Sequence, residues 1–409
     1  MAVSGCHSPL YFLFFVVLLL RPEALMGQPD TINLPEVAVT ASRLRGWQPG
    51  QEQSITDSLK LSFLKTENLS EALRSQAGVY VRDYGAGNIS TAAVRGTSAG
   101  HTAVLWNGVP IRDPMLGLAD LSILPLFFFD DVRLALGGGS SLWGSGALGG
   151  VIHLGSRLEE QKGFEVDYQA GAGSFGSRGQ GLKLGYGKNG FTSSTRLFFR
   201  SADNDYLYKD LSGTEKRLPN AHARQMGLMQ ENSVELPGNH RLGIHLWAHR
   251  ADRGIPPSRV QPSGRAHQED EFLRGILDWQ WAGARSSWIT RVAASQNRLL
   301  YSDSLTNTFS DSRTRSLLAE AEGTHSLLSG LDVKAGVQFN YLDASSDVYS
   351  GFPRQDRWAA FAALRWESTG GRWQAVASGR QEWADGRAVP FTPSLSLHWR
   401  NRTGLQAGF

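Results

Sequence analysis

The sequence predicts a small mixed α/β domain followed by an antiparallel transmembrane β-barrel, of which about half of a 22-stranded closure is present. Three observations lead there. From about Gly163 the chain alternates apolar and polar residues in long stretches separated by Gly, Asp, Asn and Ser turns. Ahead of that run lies a compact, glycine-rich segment of different texture, Trp47 to about Gln161. The N-terminus carries an unbroken apolar run, Leu10 to Leu20, of the kind that directs export.

Composition narrows the class. Of 409 residues, 46 are Gly and 12 are Trp, and only 19% are charged, which suits strands and turns better than helical packing. A net charge of +3 with no long basic run provides no electrostatic footprint for nucleic acid. The apolar run is too short to cross a bilayer as a helix, and no later segment approaches the length that would. Arg21-Pro22-Glu23 and small residues follow it, so cleavage is expected after Gly27, with a short membrane anchor as the alternative. The one cysteine, Cys6, lies inside residues 1–27, so the mature chain is expected to have no disulfide, no thiol chemistry and no Cys-based metal site.

Residues 28–46 are polar, hold Pro29 and Pro35, and read as an extended tether. Within residues 47–161 one helix is predicted over Asn68–Gln76, capped by Asn68 or Ser70 and stopped by Gly78. Strands are predicted at Gly78–Arg82, Ala92–Arg95, Thr102–Trp106, Val132–Leu136 and Gly150–Leu154.

Residues 162–409 are a different object. In Leu331–Tyr341 the odd positions Leu331, Val333, Ala335, Val337, Phe339 and Tyr341 share one face, and Asp332, Lys334, Gly336, Gln338 and Asn340 the other. Leu242, Ile244, Leu246 and Ala248 oppose Arg241, His245 and His249, and Leu273, Leu277, Trp279 and Trp281 oppose Arg274, Asp278 and Gln280. One such strand fits any half-buried sheet. About a dozen in succession, with aromatics near their ends, fit a barrel with a lipid face and a wet face. The 247 residues from Gly163 supply about 12 strands at roughly 20 residues each, little more than half of a 22-stranded barrel, so the chain is expected to be a fragment.

Two stretches carry function: Gly78 to Pro114, and GGGSSLWGSGALGGVIHL at Gly137 to Leu154. A phosphate-binding loop is excluded for the second, since no Lys-Ser/Thr pair ends it and no strand-then-helix frame surrounds it. With LSEALRSQAGVYV, the Val94-Arg95-Gly96 triplet, VLWNGVPI and GSSLWGSGALGGVI, the chain resembles TonB-dependent outer-membrane receptors, in the cobalamin-receptor-like branch. The resemblance covers the tether, the whole plug domain and the first part of the barrel. It implies that Arg95 lies between plug and barrel and pairs with a barrel carboxylate; a solvated strand-end arginine is the alternative. It also implies that Glu36, Val37, Ala38, Val39, Thr40 and Ala41 form a TonB box. A periplasmic TonB-type partner would grip that segment as an added strand, for which its β-branched residues are suited.

By position, the plug apices would meet solute through Arg82, Asp83, Tyr84 and Asn88, and through Arg112, Asp113 and Met115; solvated turns are the competing reading. Asp203, Asp205 and Asp210 are weak calcium candidates, with Lys209 among them, and no other cofactor is expected. His240, His245 and His249 are spaced along a strand and read as part of a wet wall. No Ser/His/Asp cluster or paired-acid site is evident, so the chain is not expected to be an enzyme. The expected activity is import of a bulky solute such as a corrinoid or metal chelate across the outer membrane of a Gram-negative bacterium. A ferric-siderophore receptor and an uncoupled structural or adhesive β-protein are the alternatives.

Overall fold

A computed structural model describes Trp47 and residues 52–54, 63–85, 88–158, 162–258, 263–347, 351, 353–400 and 406–408. The chain divides into Met1–Ala38 and Val39–Phe409, and all described residues belong to the second unit. The expected signal peptide, tether and TonB box lie outside the described residues.

The plug is built on a five-stranded mixed sheet. Its members are β1 (Glu52–Ser54), β4 (Thr102–Trp106), β5 (Val109–Pro110), β6 (Asp131–Leu136) and β7 (Gly150–Gly155), in the order β1-β6-β7-β4-β5. Only β4 and β7 run parallel. The hairpin β2 (Val79–Asp83) with β3 (Ser90–Val94) stands apart as its own two-stranded sheet. The predicted helix is shorter than expected: α1 covers Leu69–Arg74, with Asn68 at its N-cap but without a side-chain cap bond. Ser75 closes it, and Gly78 follows in the left-handed region at φ 81°. A second short helix, α2 (Ser140–Trp143), lies within the glycine-rich stretch, where sequence periodicity gave no helical signal.

The wall is one antiparallel meander. It comprises β8 (Gly163–Ala172), β9 (Arg178–Lys188), β10 (Phe191–Ala202), β13 (Ala223–Leu236), β14 (His240–Ile255), β15 (Ala266–Ala282), β16 (Ser286–Asp303), β17 (Thr308–Leu328), β18 (Leu331–Ser346), β19 (Arg354–Glu367), β20 (Trp373–Ala384), β22 (Thr392–Arg400) and β23 (Gln406–Gly408). The hairpin β11 (Leu207–Lys209) and β12 (Glu215–Arg217) projects from the loop after β10, and β21 (Arg387–Ala388) adds to β20. Among the described residues the path does not close, since β8 and β23 each pair with one neighbour. At 21 residues β17 is about 70 Å long, far more than a lipid band of about 25 Å would require.

Alternation divides the wall as the sequence predicts. Ile244, Leu273, Leu277, Trp358, Leu364 and Trp366 stand exposed on the outer face. Such a continuous apolar face is unfavourable in water and matched in lipid. The inner face is neither uniformly wet nor uniformly polar. Trp247 on β14 is fully buried and meets plug Trp106, Phe128 and Phe129 with ring centroids 5.4–5.8 Å apart. Two wall glycines make room for this packing. A Cβ at Gly181 would sit 2.5 Å from the Phe127 ring, and one at Gly227 2.9 Å from Phe128. Gly181→Leu is therefore expected to overpack the seam by about 1–3 kcal/mol. It should lower the thermal midpoint in detergent and speed tryptic cleavage of the plug; unchanged values would show that this contact does not seat it.

Candidate functional site at the seam of plug and wall

The plug is gripped from the wall by a series of cationic and amide side chains on inward positions of successive strands. On β10, Arg196 donates to the carbonyls of Phe127 and Phe128, at 3.3 and 2.9 Å, and pairs with Asp130. Lys65 of the plug lies 3.6 Å from the other Asp130 oxygen. Gln225 on β13 donates to the Ser122 carbonyl at 2.8 Å. Arg253 on β14 lies 2.8 Å from both Asp120 of the plug and Asp270 of β15. It also donates to Ser122 Oγ and to the Asn88 carbonyl. Arg274 on β15 donates to the Ile111 carbonyl at 3.2 Å and stacks over Phe272 at 3.8 Å.

The plug side of these contacts is fixed by local turn chemistry. Asp120 caps a one-turn 3-10 helix, Leu121–Ile123, by accepting from the Ser122 N–H, and also accepts from the Ser90 N–H. That turn and the next, Leu126–Phe128, bend the backbone so that carbonyls face the wall. Lower on the plug, Asn107 and Gly108 form the tip of the β4–β5 hairpin with φ of 47° and 84°. Asn-Gly favours such a tight turn because both residues tolerate positive φ. Asn107 Nδ2 lies 3.1 Å from Glu231 and from His245, and His245 bridges Glu231 and Asp278 at 3.0 and 2.9 Å. Beside it, Arg291 lies against Gly108 and pairs with Glu320 at 2.8 Å.

Above the hairpin, a cavity of ≈260 Å³ opens between the two parts, lined by Ile111, Arg112 and Pro114 of the plug and Ser295, Asn340 and Arg357 of the wall. A smaller one of ≈90 Å³ shares Arg112, Asn340 and Arg357. Arg112 is reachable from the cavity yet surrounded by protein, and among the described residues its guanidinium has no hydrogen-bond or ion-pair partner. Burial, then the nearby Arg357 guanidinium, push its pKa down from the ordinary arginine value, with Glu382 opposing. Arg357 donates to Ser145 of the plug at 3.2 Å. The cavity thus presents excess positive charge amid apolar Ile111, Ile276 and Leu318.

The structure separates the predicted apical residues. Arg112 lines the cavity. Asp113 instead holds its own turn, accepting from the Met115 and Leu116 N–H groups at 2.7 and 3.1 Å. Met115 is half-buried and outside the cavity lining. On the β2–β3 hairpin Arg82 lies over Tyr84, Asp83 pairs with Arg74, and Asn88 contributes its carbonyl to Arg253. None of these four lines the cavity. The expected latch is also differently made. Arg95 is exposed at φ 51° and forms no ion pair among the described residues. The ion pairs across the seam run the other way, from wall arginines to plug Asp120 and Asp130. The calcium candidates do not converge. Asp205 is held by Arg217 and Asp210 by Lys216 and Ser212, and with those cations in place they offer a hard ion little. The sequence reading missed Arg196, Gln225 and Arg253; their inward alternation was the available signal.

Comparison with known proteins agrees with this architecture. The family profile described as TonB-dependent Receptor Plug Domain matches residues 48–151. Residues 48–151 thus carry the plug domain of the TonB-dependent receptors. The chain's similarity is of the cobalamin-receptor-like kind. It is 24% identical over 316 residues to the vitamin B12 transporter BtuB of Photobacterium profundum, covering 74% of this chain and 49% of the relative. With BtuB of Vibrio vulnificus it shares 32% over 139 residues, 33% of this chain and 23% of the relative. Among solved structures, the FrpB iron transporter of Neisseria meningitidis matches with a TM-score of 0.69 at 13% identity, covering 86% of this chain and 62% of FrpB, a likeness of fold. The chain spans about half the length of the first curated relative it matches.

Asp130 gives the seam a pH dependence. Burial alone would raise its pKa, but Arg196 and then Lys65 outweigh that and hold it well below the usual carboxylate range. A depressed carboxylate contributes stability that is fully present above its unfolded value of about 3.9 and is lost as pH falls through the folded one. The plug should therefore melt at a constant temperature from pH 7 to about 5 and lose stability below about 4. Asp130→Asn should cost about 3–5 kcal/mol at neutral pH, by stranding the buried Arg196, and should flatten the acid limb. A retained acid limb in that variant would assign it to other carboxylates.

Proposed function

We propose that this receptor imports a bulky, scarce solute, a corrinoid or another metal chelate, across the outer membrane, with the plug as an energy-coupled gate. The cavity at Arg112 and Arg357 carries the reading. One guanidinium comes from the plug and the other from the wall, so a solute that bridges them with a phosphate or carboxylate has an affinity tied to plug position. Ser295 and Asn340 supply neutral polar groups, and Ile111 and Leu318 supply apolar surface for the body of the molecule. At ≈260 Å³ the cavity seats an edge of a bulky solute, leaving the rest to the loops above the wall.

Coupling would enter through the tether. A TonB-type periplasmic partner would add Glu36–Ala41 to a sheet edge and pull. The pull would reach the described plug at Trp47, a buried ring 4.9 Å from Lys334 of β18. A force applied there loads the seam from one end, and the wall contacts to Asp120 and Asp130 resist it. The relatives named vitamin B12 transporter support the corrinoid reading over other chelates.

Binding of cobalamin, cobinamide and ferric siderophores to the complete receptor tests the solute class. Arg112→Glu and Arg357→Glu are each expected to weaken binding at least tenfold, about 1.4 kcal/mol or more. Failure of every corrinoid and chelate to bind would sink it. Deletion of residues 36–41 should leave binding intact and abolish uptake; uptake that survives would favour an uncoupled β-protein.

A further inference from the structure

We propose that His222, Asp252 and His267 form a binding site for a borderline divalent cation of the zinc or copper class on the outer rim of the wall. The three residues come from adjacent elements at one end of the meander: the segment entering β13, the end of β14 and the start of β15. Their ligand atoms all lie within 4.8 Å of one another. His222 Nε2 is 3.6 Å from Asp252 Oδ1, and His267 Nε2 is 3.4 Å from Asp252 Oδ2. The two imidazoles lie nearly parallel, with centroids 6.0 Å apart.

Those separations suit a shared ion better than direct bonding. Hydrogen bonds between nitrogen and oxygen centre on about 2.9–3.0 Å, and both imidazole–carboxylate distances exceed that. Ligand atoms placed tetrahedrally about zinc at 2.0–2.1 Å stand about 3.3–3.4 Å apart. Two imidazole nitrogens and one carboxylate oxygen are also the donor set that zinc and copper prefer over calcium or magnesium. Glu269 lies across the ladder from Asp252, with Oε1 3.6 Å from His267 Nε2, and is placed as an additional oxygen ligand.

The backbone beneath the site is held independently of any ion. Asn220 Nδ2 donates to the carbonyls of Ile255 and Ala266 at 2.9 and 2.7 Å, fastening the segment before β13 to the ends of β14 and β15. The Gly254 N–H donates to the His222 carbonyl at 2.9 Å. Asp252 pairs in register with Arg224 on one side and Glu269 on the other. Arg224 sets a cationic neighbour beside the site, while Arg250 is occupied by Glu269 and Glu271. The side chains are half-buried and open to the exterior, so a cation has access. An ion held here would clamp three strands at the rim, beside the loop of the β11–β12 hairpin.

The test is a Zn²⁺ titration of the untagged, chelator-stripped, full-length chain in detergent, read by competition with a chromophoric chelator. One equivalent above background is expected, with Zn²⁺ affinity at least tenfold weaker in His222→Gln and in His267→Gln. Excess Ca²⁺ or Mg²⁺ should not displace it. Co²⁺ bound to the unaltered protein should show the intense visible bands of a four-coordinate N/O site, a readout independent of how the variants fold. Equal Zn²⁺ uptake by the unaltered chain and the double variant, displacement by Ca²⁺, or a six-coordinate Co²⁺ spectrum would each overturn the proposal.

Discussion

The structure depends on one constraint: arginines buried on the inner wall must be satisfied, and for Arg196 and Arg253 the plug supplies partners. Arg196 is 1% exposed and Arg253 5%, and each finds a plug carboxylate and plug backbone or hydroxyl oxygens. A guanidinium carries five donors and stays charged at any working pH. Burying one without partners is far more costly than leaving it in water. With the plug absent, these side chains would face an open lumen and be hydrated. With it present, hydration is exchanged for carbonyls that its own 3-10 turns had left pointing outward. Seating the plug thus satisfies both surfaces together, which makes the seam specific in register as well as stable.

The seam is graded along its height. Around Trp247 it is aromatic and tightly packed, with wall glycines giving way to plug phenylalanines. At the Asn107–Gly108 tip it is a buried network of acids, His245 and Arg291. Near the apices it loosens into the cavity where Arg112 has no partner among the described residues. The seam is thus tightly packed around Trp247 and opens into a cationic cavity at Arg112.

Much of this was legible in the sequence, for a physical reason. A strand with lipid on one side and an occupied lumen on the other must alternate, and Leu331–Tyr341 does so throughout. The plug strands were legible from β-branched runs bounded by glycine. What was not legible depends on pairing between distant residues. Arg196 and Asp130 are 66 positions apart and Arg253 and Asp120 are 133 apart, and no local pattern links them. The same limit hid the His222–Asp252–His267 group, whose members are unremarkable singly. Arg95 shows the converse. Its motif is local and easily recognised, but its partner is a matter of which strands pass that face, and the described wall does not pass it.

That geometry bears on how the sheet can sit in a membrane. β8 and β23 each leave one edge without a described partner, and hydrocarbon offers nothing to satisfy a row of free N–H and C=O groups. In lipid each edge therefore requires a further strand. The exposed plug hairpin makes the same demand from inside, since Tyr80 at 66% exposure and Arg95 present apolar and charged surface together.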